Sequence, residues 1–463
     1  MSTAINAPFS SSVGTGRAEP EWAALNRVQG TRGRDATHER LSASGDGEND
    51  DGAPVKLSSN ILSGSVEEFS ESSFDLLIVG CGLSGATIAE RCSKELGMTA
   101  LVIDKRDHLG GNCYDYVTDD GIRASKYGAH LFHTSHERVW EHVQKFSEWV
   151  PFDHRVCGRV EDLSGIKRLV PIPPTQDTVN VLFNANVKCE KGMQLWYDSQ
   201  RVVPTHGEPT NGEEAALSRV GPLLYEKIFK HYTKKQWDKY PNELDASVLM
   251  RLPCRTSTDD RYFSDPWQAL PKRGYTRLFE NMLLDDPNIV VRLNCDFFSL
   301  KARDKLPKHK LLVYTGQIDS YYASLGMPKL EYRSLRFEEE YIADVKFFQQ
   351  AMVVNYPSPD EPFTRIVEYK HTPNQPRGRH ERVGTLITRE CSSATGEPYY
   401  PVPSPENRAL YEKYAEMAAN EKDVVFVGRL ASYKYFNMDQ AILNALLMFD
   451  NLKETGTLEA KKL

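Results

Sequence analysis

Three glycines set the first chemistry open to this chain. Gly80-x-Gly82-x-x-Gly85 follows directly on the apolar run Leu76–Val79 and opens a segment of helical pattern. A second apolar run, Ala100–Ile103, ends on the carboxylate Asp104, roughly 20 residues past the turn. The combination suits a dinucleotide. Gly80 allows the tight turn, Gly82 lets backbone approach a pyrophosphate, and Gly85 lets helix pack on strand. Leu83 and Ser84 begin the helix, whose N–H groups and partial positive charge meet phosphates. Asp104, with Lys105 beside it, is placed to bind ribose hydroxyls.

Such a motif works only between a buried strand and a helix. Residues 71–150 are therefore expected to start a Rossmann-like α/β domain. Near the C-terminus, Val424 to Gly428 reads as another buried strand ending in glycine, with a helix from about Met438. The dinucleotide domain is thus expected to be discontinuous, built from 71–150, 272–325 and 420–455. Apolar positions at helical spacing mark 175–250 as a helical insertion. The stretch EEAALSRVGPLLYEKIFKHYTKKQW carries apolar positions at helical spacing. Strand-like runs such as QAMVVNY, TRIVEYK and GTLITRE predict an antiparallel β-sheet domain from 151–174, 251–271 and 326–419. Residues 1–70 are rich in Ser, Gly and acids, with no apolar period. Such a composition does not offset its ordering entropy, and a disordered tail is expected.

Composition removes other classes. A net charge of −7 offers no global basic field for nucleic acid. The 8 cysteines form no C-x-x-C pair, which fits reduced thiols and a cytoplasmic location. No His or Cys spacing suits a metal, so none is expected. No run approaches the roughly 18 apolar residues of a membrane span.

Two features favour FAD over NAD. Gly110-Gly111-Asn112 lies just past the second strand, where backbone can approach ribityl and pyrophosphate. The late strand–Gly428–helix unit aims a helix N-terminus, with Met438 and Asp439 in its first turn, at the same site. That dipole end favours negative charge on a reduced flavin.

Eight further motifs occur in order: GGNCYDY with KYGAHLFHT, YTKKQW, DDRYFSDPWQALPKRGYT, YTGQID, LEYRSLRFE, TRIVEYKH, EPYYPV and FVGRLASYKYFNMDQ. The series resembles the UDP-galactopyranose mutase family over roughly residues 74 to 453. The resemblance implies an isomerase interconverting UDP-galactopyranose and UDP-galactofuranose. In that family N5 of reduced FAD attacks the anomeric carbon and UDP departs, with no net redox change. By position, Arg251 and Arg365 match the diphosphate-binding arginines, and Tyr262, Tyr400 and Tyr435 match tyrosines that reach the phosphates. Tyr232 matches the ring that stacks on uracil. Trp237 matches a tryptophan on a mobile loop, and its polar, turn-prone surroundings suit a loop. His130 and His133 match histidines beside the flavin, and Arg429 matches a residue at the flavin edge. Arg251, Arg365, His133 and Arg429 form the expected catalytic set, with neither histidine assigned as general base.

The expected partners are the two UDP-sugars and a reductant, NAD(P)H-linked or other; the oligomeric state stays open, a homo-oligomer included. Some positions depart from the family. Pro171 to Thr175 replaces an Asn-Leu-Pro-Phe-Asn stretch, Asn437 stands where aspartate is common, and Ile228 replaces an aromatic. These changes bear on sugar preference, N-acetylated and pentose analogues included. The competing reading is an FAD oxidoreductase of amine-oxidase or desaturase type, which shares the fingerprint but needs no diphosphate site. Composition alone carries one prediction. Deleting residues 1–65 should leave FAD content and melting temperature unchanged, as absorbance and calorimetry will show.

Overall fold

The computed structural model describes residues 72–250 and 253–455. The expected tail at 1–70, and Arg251, lie outside the described residues.

Five parallel strands form the sheet that positions the glycine motif. Their order is Ile289–Arg292, Ala100–Ile103, Ser73–Val79, Lys308–Tyr314 and Val424–Phe426. The central strand is apolar on both faces because both are covered. Leu76 and Ile78 point into one cluster with the helices Leu83–Leu96 and Met438–Thr455, while Leu77 points into another with Leu101, Phe297 and Leu312. The strands come from 73–103, 289–314 and 424–426, so widely separated segments build one sheet.

A second sheet has seven strands in the order Tyr400–Pro401, Tyr332–Ile342, Thr385–Ser393, Arg365–Glu368, Val353–Asn355, Val156–Glu161 and Lys167–Ile172. It is not wholly antiparallel, as expected from sequence: Val353–Asn355 runs parallel to Val156–Glu161. The two arrive from segments almost 200 residues apart, so no hairpin dictates their direction. Residues 267–271, grouped by sequence with this sheet, instead pair with Phe132–Thr134 and Trp149–Pro151.

The helical insertion packs on the larger sheet through one shared core. Its longest stretch of helical spacing is interrupted. Gly221 adopts φ 74°, a left-handed value, and Pro222 follows. Proline disfavours a helical residue before it, which breaks the ladder there. A π-helical stretch, Tyr225–Phe229, then leads into the helix Lys230–Trp237. Ile228 lies in the buried core of this layer. Among the described residues no helix is long and apolar enough to cross a membrane.

Candidate active site

The glycine motif opens a cleft of about 450 Å³ at the carboxyl ends of the parallel strands. Each glycine meets a different neighbour. A Cβ on Gly80 would strike Thr315, and one on Gly85 would strike the carbonyl of Gly80. A Cβ on Gly82 would find only the Cα of Gly111, 3.9 Å away, so this backbone faces open cleft. The helix Leu83–Leu96 starts here with no side-chain cap and no acid in its first turn. Its free N–H groups therefore suit a pyrophosphate. Asp104 accepts from the amides of Cys81 (2.9 Å) and Arg106 (3.0 Å), tying the second strand to the turn. Each carboxylate oxygen has a second lone pair for a ribose hydroxyl.

Of the expected cofactor residues, Gly80, Gly82, Leu83, Ser84, Asp104, Lys105, Gly110, Gly111, Asn112, His130, Gly428, Arg429 and Met438 line the cleft. Gly85, His133 and Asp439 do not. Gly85 serves helix packing. Asp439 is turned away from the cleft and accepts from Thr134 Oγ1 at 3.2 Å. The sequence reading missed Cys295 to Phe298, Thr315 to Gln317, and Glu397 with Pro398, all of which line the cleft. Tyr314-Thr-Gly316 ends a buried strand just as Val79-Gly80 does, a signal that was available. Glu397 opens the EPYYPV motif, but its residue type carries no sign of a place in the cleft; it bridges to Lys105 at 2.7 Å from a distant loop.

Beyond Arg429 lies a second group of side chains. Arg429 lines the cleft, and its guanidinium stands over the rings of Tyr435 (5.3 Å) and Tyr400 (5.9 Å). Those rings are 5.2 Å apart, with Trp237 at 6.0 and 6.2 Å. Arg365 donates through Nε to Glu390 at 2.6 Å. The charge of Arg365 acts on both Tyr232 and Tyr400, and Tyr232 also senses Tyr262 and Tyr435. Tyr262 stacks edge-on against Phe263 at 5.0 Å. Tyr232, Trp237, Tyr262, Arg365, Tyr400 and Tyr435 thus come together. Trp237 departs from expectation: it closes the helix Lys230–Trp237 rather than sitting in a loop. The helix persists because Asp238 ends it in a left-handed turn (φ 58°), and the indole is buried beside Leu244 and Val402.

Electrostatics divide these groups by role. Burial tends to lower Arg365, but Glu390 together with Tyr232 and Tyr400 outweighs it and holds the guanidinium charged. Burial pushes the phenols of Tyr232 and Tyr400 well up, so both remain neutral donors. Burial pulls His130 down to about 4 and His154 to about 3, leaving both imidazoles neutral at pH 7. His133 lies outside the cleft lining; its Nδ1 meets Asp265 at 2.8 Å and its ring stacks on Phe263 at 3.6 Å. Through Phe263, which packs on Tyr262, it adjoins the tyrosine group. Among the described residues no cluster of His, Cys, Asp or Glu could hold a metal ion.

Comparison with known proteins fits this geometry. The family model for UDP-galactopyranose mutase matches residues 227–435, and that for an NAD(P)-binding Rossmann-like domain matches 78–146. The chain is similar to a probable UDP-galactopyranose mutase of Klebsiella pneumoniae, 38% identical over 383 residues, covering 81% of this chain and 94% of the relative. A dTDP-fucopyranose mutase of Escherichia coli is 35% identical over 379 residues, covering 80% and 96%. Among solved structures, a reduced UDP-galactopyranose mutase superposes with TM-score 0.63 at 15% identity, covering 82% of this chain and 94% of that one.

The glycine contacts generate a paired prediction. Gly82→Val should fold, because its side chain enters open cleft, yet lose most bound FAD. Gly85→Val should fail to accumulate as folded protein, because its Cβ meets backbone. Circular dichroism and released-flavin absorbance on both variants will check this; full FAD occupancy in Gly82→Val would refute the placement.

Proposed function

The chain belongs to the UDP-galactopyranose mutase family, and from that premise we propose that it interconverts UDP-galactopyranose and UDP-galactofuranose. The observation that carries the reading is Arg429 joining the dinucleotide cleft to the Arg365–tyrosine group. A nucleotide-sugar bound across that junction puts its diphosphate among fixed donors and its sugar at the cleft. When bound in reduced form, FAD supplies a nucleophilic ring nitrogen for the anomeric carbon, with no net redox change. A reductant, NAD(P)H-linked or other, brings it to that state.

The protein's own part is binding, orientation and charge. Arg365 holds the diphosphate, which becomes the leaving group, with a planar fork that suits phosphate oxygens. Its Nε is engaged by Glu390, so the two terminal nitrogens serve the ligand. Tyr262, Tyr400 and Tyr435 donate hydroxyl protons to the same oxygens, and Tyr232 stacks on the base. Trp237 covers the bound nucleotide. Arg251 is assigned the second diphosphate contact from its sequence position. Arg429, which lines the cleft, would help hold the cofactor there, and its guanidinium charge would favour an anionic reduced ring. His133, oriented by Asp265, lies on the sugar side. Such positioning converts departure and recapture of UDP into local steps.

Incubating dithionite-reduced protein with UDP-galactopyranose should yield the furanose nucleotide by chromatography, without net consumption of reductant. Consumption matching product would favour an oxidoreductase instead. The E. coli relative makes dTDP-fucose a necessary second substrate in that assay.

Arg365→Ala should lower kcat/KM for UDP-galactofuranose by about 30- to 4,000-fold, on the order of 2–5 kcal/mol, while FAD stays bound. Arg251→Ala should do the same, and lysine should rescue either only in part. Arg219→Ala, on the helix Gly212–Leu224, should stay within about threefold of the parent. If both alanine variants also stay within threefold, the diphosphate is held elsewhere.

A further inference from the structure

The helix Lys230–Trp237 carries two residues of the proposed nucleotide site, Tyr232 and Trp237. It also carries a long cation that the mechanism leaves unused. The ammonium of Lys235 donates to four backbone carbonyls of one loop: Tyr356, Ser358 at 2.7 Å, Glu361 at 3.2 Å and Phe363 at 2.9 Å. Two residues after Phe363, Arg365 begins the strand Arg365–Glu368. One charge therefore joins the helix bearing the base-stacking tyrosine to the segment bearing the diphosphate arginine.

An ammonium has three protons to share among these four acceptors. Carbonyl dipoles that converge on one point repel each other unless a cation sits among them, so the loop's path depends on this charge. The other ties of the helix end run elsewhere. The carbonyl of Gln236 accepts from Ser392 Oγ at 2.6 Å and Arg333 Nε at 3.2 Å, both on the larger sheet.

We propose that Lys235 is a positioning residue that fixes the separation between Tyr232 and Arg365 and thereby sets nucleotide affinity. The proposal rests on the functional reading above. Burial pulls the ammonium down to about 8, opposed by Glu361 and Asp360, so it stays mostly charged at neutral pH. Retaining a partly buried cation at that cost calls for a role beyond packing. Tyr232 is assigned the base and Arg365 the diphosphate, and both side chains are retained when Lys235 changes. Loss of their spacing should therefore weaken nucleotide binding far more than it slows turnover at saturation.

The test is Lys235→Met, which keeps length and removes charge. Reduced enzyme is assayed for kcat and KM with UDP-galactofuranose, and UDP and dTDP are titrated separately. KM and the Kd of whichever nucleotide the parent binds should rise about tenfold or more, with kcat within about threefold and FAD content unchanged. KM and Kd both within threefold of the parent would overturn the proposal, because a purely structural lysine would change only melting temperature. Should Lys235→Met not fold, Lys235→Arg decides. It keeps the charge, but a planar fork does not match four convergent carbonyls. KM should still rise about threefold or more, and a parental KM overturns the proposal. If the reduced parent converts no UDP-galactose, the functional reading fails while the titrations still judge Lys235. A parent that binds neither nucleotide overturns both.

Discussion

The guanidinium of Arg429 is the contact on which both halves of the site depend. Its residue lines the dinucleotide cleft, and the group itself stands over Tyr400 and Tyr435. Its donors go to backbone, to the carbonyls of Phe436 and, at 3.4 Å, of Tyr399. Among the described residues no carboxylate pairs with it in a salt bridge. Carbonyl dipoles fix its position without cancelling its charge, so the field remains for an anionic ligand on either side. Moving this one group would displace the floor of the cleft and the wall of the tyrosine group together.

Arg365 solves the opposite problem. It faces the same ligand region but is bound edge-on to Glu390, itself buried within the larger sheet. That pairing sets the orientation of the fork while reducing its net charge. An unpaired arginine there would bind phosphate more strongly, but along no fixed direction and at a larger desolvation cost. The neutral histidines complete the arrangement. His130 and His154 are held far below their ordinary range, partly by the very arginines beside them. Positive charge is concentrated in groups that do not titrate near neutral pH, which suits a reaction whose leaving group is already anionic.

This division explains what the sequence could reveal. The strand–glycine–helix unit was legible because each glycine answers a local steric demand, as the neighbours of Gly80 and Gly85 confirm. That the late strand belongs to the same sheet as the first was legible because Val424 to Gly428 repeats the pattern of an apolar run ending in glycine, whereas Lys308–Tyr314, cationic over its first half, is apolar only in its second. The cleft residues Cys295 to Phe298 and Glu397 were not, since they reach the site through strand order rather than local pattern. The parallel pairing of Val353–Asn355 with Val156–Glu161 is likewise a tertiary choice with no signature in either segment. The residues proposed for the substrate side were reached through resemblance; taken singly, a tyrosine such as Tyr400 carries no sign of such a role.

The nucleotide-side helix shows why periodicity alone could not have placed its residues. A helical wheel is trustworthy only while the turn stays at about 3.6 residues. Before Tyr232 that condition fails twice, at Gly221 and again through the wider π turn of Tyr225–Phe229. Each interruption rotates everything downstream. The directions in which Tyr232 and Trp237 leave the helix therefore do not follow from the phase that Ala215, Ala216 and Val220 set. What fixes it is the far end of the helix, where Asp238 stops the turn and Lys235, Ser392 and Arg333 anchor it to strands and loop. A segment with a broken start and a pinned end takes its phase from the pin. The site's geometry on this side thus depends on tertiary hydrogen bonds to backbone carbonyls, which residue identity announces only weakly.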